Sequence, residues 1–308
     1  MVNIRIFLAV IKQLKLKHWV KNVYILLPLF FSGRILEYKW DFILTGFLAF
    51  SFLASSIYVF NDLCDIEKDR KHPQKCKRPL ASGVIPKSAG VLIFLLLSLG
   101  SLCWGFFLFP SNIPALLIMV LYLVLNIGYS LKWKNIPILD IAVLATGFLL
   151  RLLFGGCYFG IAISPWLYLT VLMASFYMGV GKRLNEKINS QKNDTRAVLT
   201  LYSKNYLENL MTLSATSSII FYSQWSAHAY EKDTLLWTVP LVILAFFRYS
   251  YVVEHQKNED PVQIVLKDKG LRNIFSVNSL KSSQSLRRNA CSLRAKFHPI
   301  RLEAQLRF

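Results

Sequence analysis

Five long stretches of the chain contain no acidic or basic side chain. They cover residues 42–60, 89–109, 113–131, 152–181 and 209–227. Because about 20 such residues are enough for a helix to cross the hydrocarbon core of a bilayer, the pattern predicts an all-α, polytopic transmembrane helical bundle. One bundle of this kind uses the whole chain. A soluble enzyme, a secreted module and a disordered tail are therefore excluded as descriptions of the whole protein.

The apolar pattern predicts eight spans. The first, residues 22–33, is short, contains Pro28 and is followed by Arg34. The other seven are expected at about residues 41–60, 88–109, 113–130, 138–160, 164–181, 206–227 and 234–253. The chain is thus expected to divide into a basic amphipathic interfacial segment (1–22), a transmembrane bundle with catalytic cytoplasmic loops (23–253) and a basic cytoplasmic tail (254–308).

The positive charge is distributed unevenly along the chain. Lysine and arginine number 36 against 17 acidic residues, which gives a net charge of +19. Twenty of the basic residues lie in the N-terminal segment and in alternate loops, whereas the intervening loops hold only three. This asymmetry predicts a multi-pass protein of the cytoplasmic membrane with its N-terminus in the cytoplasm. It favours contact with membrane lipids and argues against a nucleic-acid partner.

An acidic segment follows the second predicted span. Residues 61–70 read NDLCDIEKDR, so Asp62, Asp65 and Asp69 stand at i, i+3 and i+7 and would share one face of a helix. Three clustered carboxylates repel one another unless a cation lies between them, and hard oxygen ligands suit Mg²⁺. Asn61 can point into the same cavity. The simpler alternative is a solvated acidic helix end.

Cations near this segment favour a phosphate site. Lys77 and Arg78 follow it closely, and carboxylates for a metal beside cations for phosphate can hold a diphosphate leaving group. Lys17, Lys21 and Asn22 in the interfacial segment are further candidate phosphate contacts.

Two charged residues, Asp140 and Arg151, fall inside the fifth predicted span, where an unpaired charge is costly. Because they are eleven positions apart in sequence, a helix places them on one face but about 16 Å apart along its axis, which is too far for a direct ion pair. Each must meet another group. We expect Asp140 to belong to the site. For Arg151 two roles remain open, binding the substrate and holding two helices together.

Several of these motifs together resemble the UbiA superfamily of intramembrane prenyltransferases. The pattern Asn-Asp-x-x-Asp-x-x-x-Asp at 61–69 and the sequence RPLASG at 78–83 carry the resemblance. Further segments are similar to its decaprenyl-phosphate phosphoribosyltransferase branch: KHWVKN at 17–22, Tyr129 to Lys134, PILD at 137–140, Gly147 to Arg151, and GKRLNE at 181–186. The resemblance covers about residues 10–270.

The resemblance implies a bundle of usually nine spans with a cytoplasmic cavity that binds a Mg²⁺-diphosphate. It implies transfer of 5-phosphoribose from 5-phosphoribose 1-diphosphate to a polyprenyl phosphate, for envelope glycan precursors. Ordinary members carry a second carboxylate motif after the sixth span. Here Lys182, Arg183 and Glu186 take that place, which suits an additional phosphate. The implied substrate contacts also include Tyr129, Lys134 and Arg151. The implied catalytic residues are Asp62, Asp65, Asp69 and Asp140.

Two alternatives remain open at the level of sequence. The first is a prenyltransferase that uses a prenyl diphosphate and a small acceptor, and the second is a non-enzymatic transporter or lipid-binding protein. The sequence also leaves open whether the chain forms a homo-oligomer. One departure from the family pattern concerns residues 269–308, where nine basic residues and one acid stand in place of a ninth span.

Overall fold

The computed structural model describes residues 2–108, 112–189, 197–228, 233–255, 264 and 268–273. Within these residues every assigned regular element is a helix. The α-helices are α1 (Val2–Gln13), α2 (Leu27–Phe31), α3 (Trp40–Cys64), α4 (Ile66–Lys71), α5 (Lys87–Leu108), α6 (Ile113–Leu131), α7 (Leu139–Phe159), α8 (Pro165–Asn189), α9 (Ala197–Leu201), α10 (Lys204–His228) and α11 (Val239–His255). Short 3-10 helices cover Leu16–Leu26, Lys75–Lys77, Trp133–Asn135 and Asp233–Thr238.

Among the described residues, five helical segments are long and apolar enough to cross a membrane: α3, α5, α6, α7 and the segment from Leu235 through α11. The helices α8 and α10 are 25 residues long, as α3 is, but their composition is more polar. The first predicted span is not one continuous helix. Its residues lie in the Leu16–Leu26 3-10 helix and in α2, where Pro28 occupies the first turn. Proline lacks the N–H that a continuing helix would need.

Helix α8 extends beyond the predicted span. The sequence pattern predicts an end at residue 181, but the helix runs to Asn189. Lys182, Arg183 and Glu186 therefore lie on a helix, and the prediction that they belong to a loop was wrong. Residues 182–189 are charged or polar apart from Leu184 and Ile188, so a hydropathy pattern cannot locate the helix end. Hydrogen bonding continues because these residues include good helix formers.

Helix α7 connects the two halves of the bundle. It packs against α6 and the Leu16–Leu26 3-10 helix on one side and against α8 on the other. In the first half α3 packs against α5 and α6, and in the second half α8 packs against α10 and α11. Many apolar side chains of α5 and α6 remain exposed, as expected of helices that face lipid.

The N-terminal segment covers part of the connection between α3 and α5. Ala9 and Val10 of α1 pack against a small apolar cluster that contains Ile66 and Leu80. Other apolar side chains of α1 are exposed, among them Phe7 at 64%. An exposed apolar face beside basic residues is typical of a helix at a membrane surface.

Part of the predicted C-terminal tail packs against the bundle. Ile264 and Leu271 are buried in the apolar cluster of the second half. Asp268 accepts hydrogen bonds from Arg248 of α11 at 2.8 and 3.1 Å, and this bond lowers the pKa of the Asp268 carboxyl. The other residues of the predicted tail, 256–263, 265–267 and 274–308, lie outside the described residues.

We predict that Gly155→Ala destabilises the bundle. A Cβ atom at Gly155 would overlap the backbone carbonyl oxygen of Ile25, which a side-chain movement cannot relieve. Overpacking of this kind costs about 1–3 kcal/mol. Thermal unfolding of the purified protein in detergent measures the effect. Gly100→Ala is the matched control, because open space surrounds Gly100 in its helix. Equal unfolding midpoints for the two variants would contradict the tight packing of α7 against the N-terminal segment.

Candidate functional site

The acidic segment contains a break between two helices. Helix α3 ends at Cys64 and α4 begins at Ile66, and Asp65 between them has φ −102° and ψ 9°. The prediction that three aspartates share one continuous helical face was therefore wrong. Asp62 and Asp69 both contact Arg78, whereas Asp65 contacts Lys134.

Asp62 and Asp69 are bridged by one guanidinium nitrogen. Arg78 Nη1 lies 2.9 Å from Oδ1 of Asp62 and 2.7 Å from Oδ2 of Asp69. Both carboxylates are buried, with 1% and 4% of the residue exposed, whereas the Arg78 side chain is 30% exposed. A positive charge thus lies between two buried carboxylates, as their mutual repulsion requires.

A second cation, Lys15, reaches the same carboxylate. Its Nζ lies 2.7 Å from Oδ1 of Asp62. Burial is the main influence and lowers the pKa of Lys15 below that of an ordinary lysine; the charge of Asp62 opposes this effect and that of Arg78 adds to it. Lys15 and Arg78 therefore share one carboxylate oxygen, Oδ1 of Asp62. An incoming anion would reduce the repulsion between these two cations.

Gln13 contacts the other oxygen of Asp62. Its Nε2 donates to Oδ2 at 2.9 Å, and its own Oε1 is buried without a hydrogen-bond partner. Gln13 and Lys15 both belong to the N-terminal segment and approach Asp62 across 49 and 47 residues of sequence. Sequence reasoning did not place either residue in the site. The signal available was weak, namely polar residues at the end of an otherwise apolar helix.

Asp65 binds a cation from another part of the chain. Lys134, in the connection between α6 and α7, donates to Oδ1 of Asp65 at 2.6 Å. The two residues were both predicted to belong to the site, and the structure brings them together. Among the described residues, no three histidine, cysteine, aspartate or glutamate side chains are close enough to hold one metal ion.

A second polar cluster lies where α7 and α8 meet. Arg183 donates to Oδ2 of Asp140 at 2.6 Å, to Glu186 at 2.8 Å and to the hydroxyl of Tyr129 at 3.0 Å. Tyr202 donates to Oδ1 of Asp140 at 2.7 Å, and burial raises the pKa of Tyr202. All five residues except Tyr202 were predicted to be site residues.

Burial separates the roles within this second cluster. The side chains of Asp140 and Arg183 are both fully buried, whereas Glu186 is 25% exposed. Each nitrogen of the Arg183 guanidinium already has a protein partner. Arg183 therefore orients Asp140, Glu186 and Tyr129.

Arg151 forms a third polar group, inside the bundle. Its guanidinium donates to Asn22 at 2.7 Å, to the backbone carbonyl of Gly147 at 2.6 Å and to the hydroxyl of Tyr122 at 2.8 Å. Asn22 in turn donates to Ser51 at 2.8 Å. As predicted, Arg151 and Asp140 do not pair with each other. These contacts tie the N-terminal segment to α3, α6 and α7 and leave Asn22 buried, away from a phosphate at the surface.

The remaining predicted residues lie closer to the surface. Lys17 and Lys77 are exposed, and the Lys77 carbonyl accepts a long hydrogen bond of 3.4 Å from Lys12. Asn61, Lys21 and Lys182 are half-buried.

We predict that Arg183→Gln destabilises the protein by about 3 kcal/mol or more, because it leaves the buried Asp140 carboxylate without its cation. The double variant Asp140→Asn, Arg183→Gln should recover much of that loss, since no buried charge remains. Thermal unfolding in detergent provides the measurement.

Lys204→Gln is the matched control for this prediction. It removes one partner of the exposed Lys204–Glu208 pair and should change stability by less than about 1 kcal/mol. A double variant whose loss equals the sum of the two single losses would show that Asp140 and Arg183 are not coupled.

Comparison with known proteins agrees with the fold and with the motifs. Residues 24–271 match the UbiA prenyltransferase family. The chain is 33% identical to the decaprenyl-phosphate phosphoribosyltransferase of Corynebacterium glutamicum over 276 residues, covering 86% of this chain and 82% of that protein. It is 32% identical to the protein of the same name from Mycobacterium tuberculosis, covering 86% and 89%.

Solved structures share the architecture at low sequence identity. A structure of digeranylgeranylglyceryl phosphate synthase has a TM-score of 0.68 and 18% identity, covering 91% of this chain and 98% of the other. A UbiA homologue from Archaeoglobus fulgidus, bound to DMAPP and Mg²⁺, has a TM-score of 0.67 and 16% identity, covering 89% and 97%. With helices able to span a membrane, this chain is an integral membrane protein that belongs to the UbiA prenyltransferase family.

Proposed function

We propose that this protein transfers 5-phosphoribose from 5-phosphoribose 1-diphosphate to a polyprenyl phosphate and releases diphosphate. The observation that carries the proposal is the pair of buried carboxylates, Asp62 and Asp69, beside two partly exposed cations, Lys15 and Arg78. This combination suits a metal-bound diphosphate. The names of the relatives from Corynebacterium and Mycobacterium support the choice of substrates.

The residues present fit a divalent cation. Arg78 Nη1 already occupies a position within 3 Å of one oxygen from each carboxylate, so the position accepts positive charge. Carboxylate oxygens are the ligands that Mg²⁺ prefers. Asp62 and Asp69 would hold the ion, with Asp65 nearby, and the ion when bound would supply charge neutralisation for the departing diphosphate.

The side chains of the first cluster assist departure of the leaving group. The bond between C1 of the ribose and the diphosphate oxygen breaks, and its electron pair leaves with the diphosphate. Lys15 and Arg78 can turn from the carboxylates to that anion, because both side chains are partly exposed. Donors placed where negative charge develops stabilise the transition state. The acceptor phosphate is already an anion, so an oxygen of it can bond to C1 without a strong base.

The second cluster suits the sugar portion of the donor. Glu186 is a partly exposed carboxylate that the buried Arg183 holds in place, and a carboxylate accepts hydrogen bonds from ribose hydroxyls. Lys182 precedes Arg183 on the same helix and can contact the 5-phosphate. A prenyl diphosphate has neither group, so these residues favour the sugar donor over the prenyltransferase alternative.

The acceptor lipid and the location follow from the same arrangement. The polyprenyl chain would lie in the bilayer with its phosphate near Lys17 and Lys21 of the N-terminal segment. The excess of basic residues on one side supports a cytoplasmic N-terminus and a cytoplasmic site in a bacterial inner membrane. The product would serve the synthesis of envelope glycan precursors.

We predict that the purified protein transfers label from radiolabelled 5-phosphoribose 1-diphosphate to a polyprenyl phosphate when Mg²⁺ is present. Partition of the label into organic solvent measures product. A parallel reaction supplies a labelled prenyl diphosphate and an aromatic acceptor. Sugar label that stays in water, or product from the prenyl donor alone, would refute the proposed reaction.

We predict that Asp69→Asn lowers the transfer rate at least about 100-fold, a barrier increase of about 2.7 kcal/mol, because it removes one carboxylate of the bridged pair. Glu67→Gln is the matched control, since Glu67 lies on the same helix but is exposed and pairs with the surface cations Arg70 and Lys87. Comparable rates for the two variants, with equal thermal stability, would exclude Asp69 from the site.

A further inference from the structure

The side-chain oxygen of Gln13 is an unsatisfied acceptor in a buried place. Gln13 is the last residue of α1 and only 1% exposed. Its amide nitrogen donates to Asp62, but no described group donates to its oxygen. Buried polar atoms without a partner are uncommon in folded proteins and are costly, so such an atom calls for a partner that arrives from outside the chain.

The orientation of this amide follows from the charge of Asp62. An amide nitrogen is a donor and an amide oxygen only an acceptor. Exchanging the two atoms would place the Gln13 oxygen against the Asp62 carboxylate, where two acceptors repel. The nitrogen therefore faces Asp62, and the oxygen lies on the other side of the amide group.

The backbone after Gln13 adopts an unfavourable conformation that directs the next polar residue to the same carboxylate. Lys15 has φ 51° and ψ 48°, a left-handed conformation that is unusual for a residue other than glycine. Its Nζ reaches Asp62 Oδ1, while Gln13 reaches Oδ2. Strained residues of this kind concentrate at functional sites, where the surrounding structure holds them.

From these observations we infer that Gln13 supplies a neutral oxygen ligand, directly or through a bound water, to a hard divalent cation held by Asp62 and Asp69. The inference rests on the cation-dependent transfer proposed above. Amide oxygens are suitable ligands for such cations and add no charge to the site. Arg78 occupies the space between the carboxylates in this structure, and Gln13 would gain its missing partner when a cation replaces that side chain.

Two variants of Gln13 separate this role from a merely structural one. Gln13→Leu removes both the oxygen and the donor to Asp62. Gln13→Glu keeps an oxygen ligand but loses the donor and adds a negative charge. If Gln13 is a cation ligand, Gln13→Glu preserves that role and Gln13→Leu removes it. If Gln13 acts only by donating a hydrogen bond to Asp62, both variants remove its role.

The experiment measures Mn²⁺ binding to the purified full-length protein in detergent, from the loss of the electron paramagnetic resonance signal of free Mn²⁺. Titrations are made with and without inorganic diphosphate and need no turnover. We expect Gln13→Leu to weaken Mn²⁺ binding about tenfold or more, the range found when supporting groups of metal sites are removed. Gln13→Glu should bind at least as tightly as the wild type. Gln74→Leu, at an exposed glutamine, should leave binding unchanged.

Several outcomes would overturn the inference. It fails if Gln13→Leu binds Mn²⁺ as the wild type does, if Gln13→Glu is weakened as much as Gln13→Leu, or if the wild type binds no Mn²⁺ in either condition. Thermal unfolding checks the fold, and Gln13→Glu decides the result if Gln13→Leu does not fold. A wild type that binds Mn²⁺ but does not transfer phosphoribose would contradict the proposed reaction and leave the role of Gln13 intact.

Discussion

A charge buried within a helical bundle has to find its partner inside the protein. In this chain that constraint determines which segments meet. Asp140 of α7 is compensated by Arg183 of α8, and the Arg151 guanidinium is held by Asn22 and Tyr122. Because desolvated groups without partners are costly, these contacts favour one packing of mostly apolar helices over many similar ones. The same contacts draw the N-terminal segment against the bundle.

The degree of exposure distinguishes the two acidic clusters. Arg183 is fully buried and has a partner for every nitrogen, so its departure would leave Asp140 uncompensated. Arg78 and Lys15 are 30% and 20% exposed, and they can exchange a carboxylate for a phosphate without full desolvation. The cluster around Asp62 is therefore suited to chemistry, whereas the buried Asp140–Arg183 pair is suited to maintaining the geometry of α7 and α8.

Sequence patterns predicted the long helices well and the polar ends poorly. The bounds expected for α5, α6 and α7 agree with the structure to within one residue. Hydropathy could not predict the break at Asp65 or the extension of α8 to Asn189, because outside the membrane a run of polar residues can lie in a helix or in a loop. The choice of Asp62, Asp69 and Arg78 depended on motifs and local spacing, and the structure does bring these three together.

Sequence alone determined that the chain crosses a membrane as helices and that carboxylates and cations gather at one end of them. These properties follow from composition and from spacings of a few residues. Only the tertiary structure decided which cation meets which carboxylate. Gln13 reaches Asp62 across 49 residues, Lys134 reaches Asp65 across 69, and Arg151 reaches Asn22 across 129. Such pairings depend on how the helices pack, and local periodicity carries no information about them.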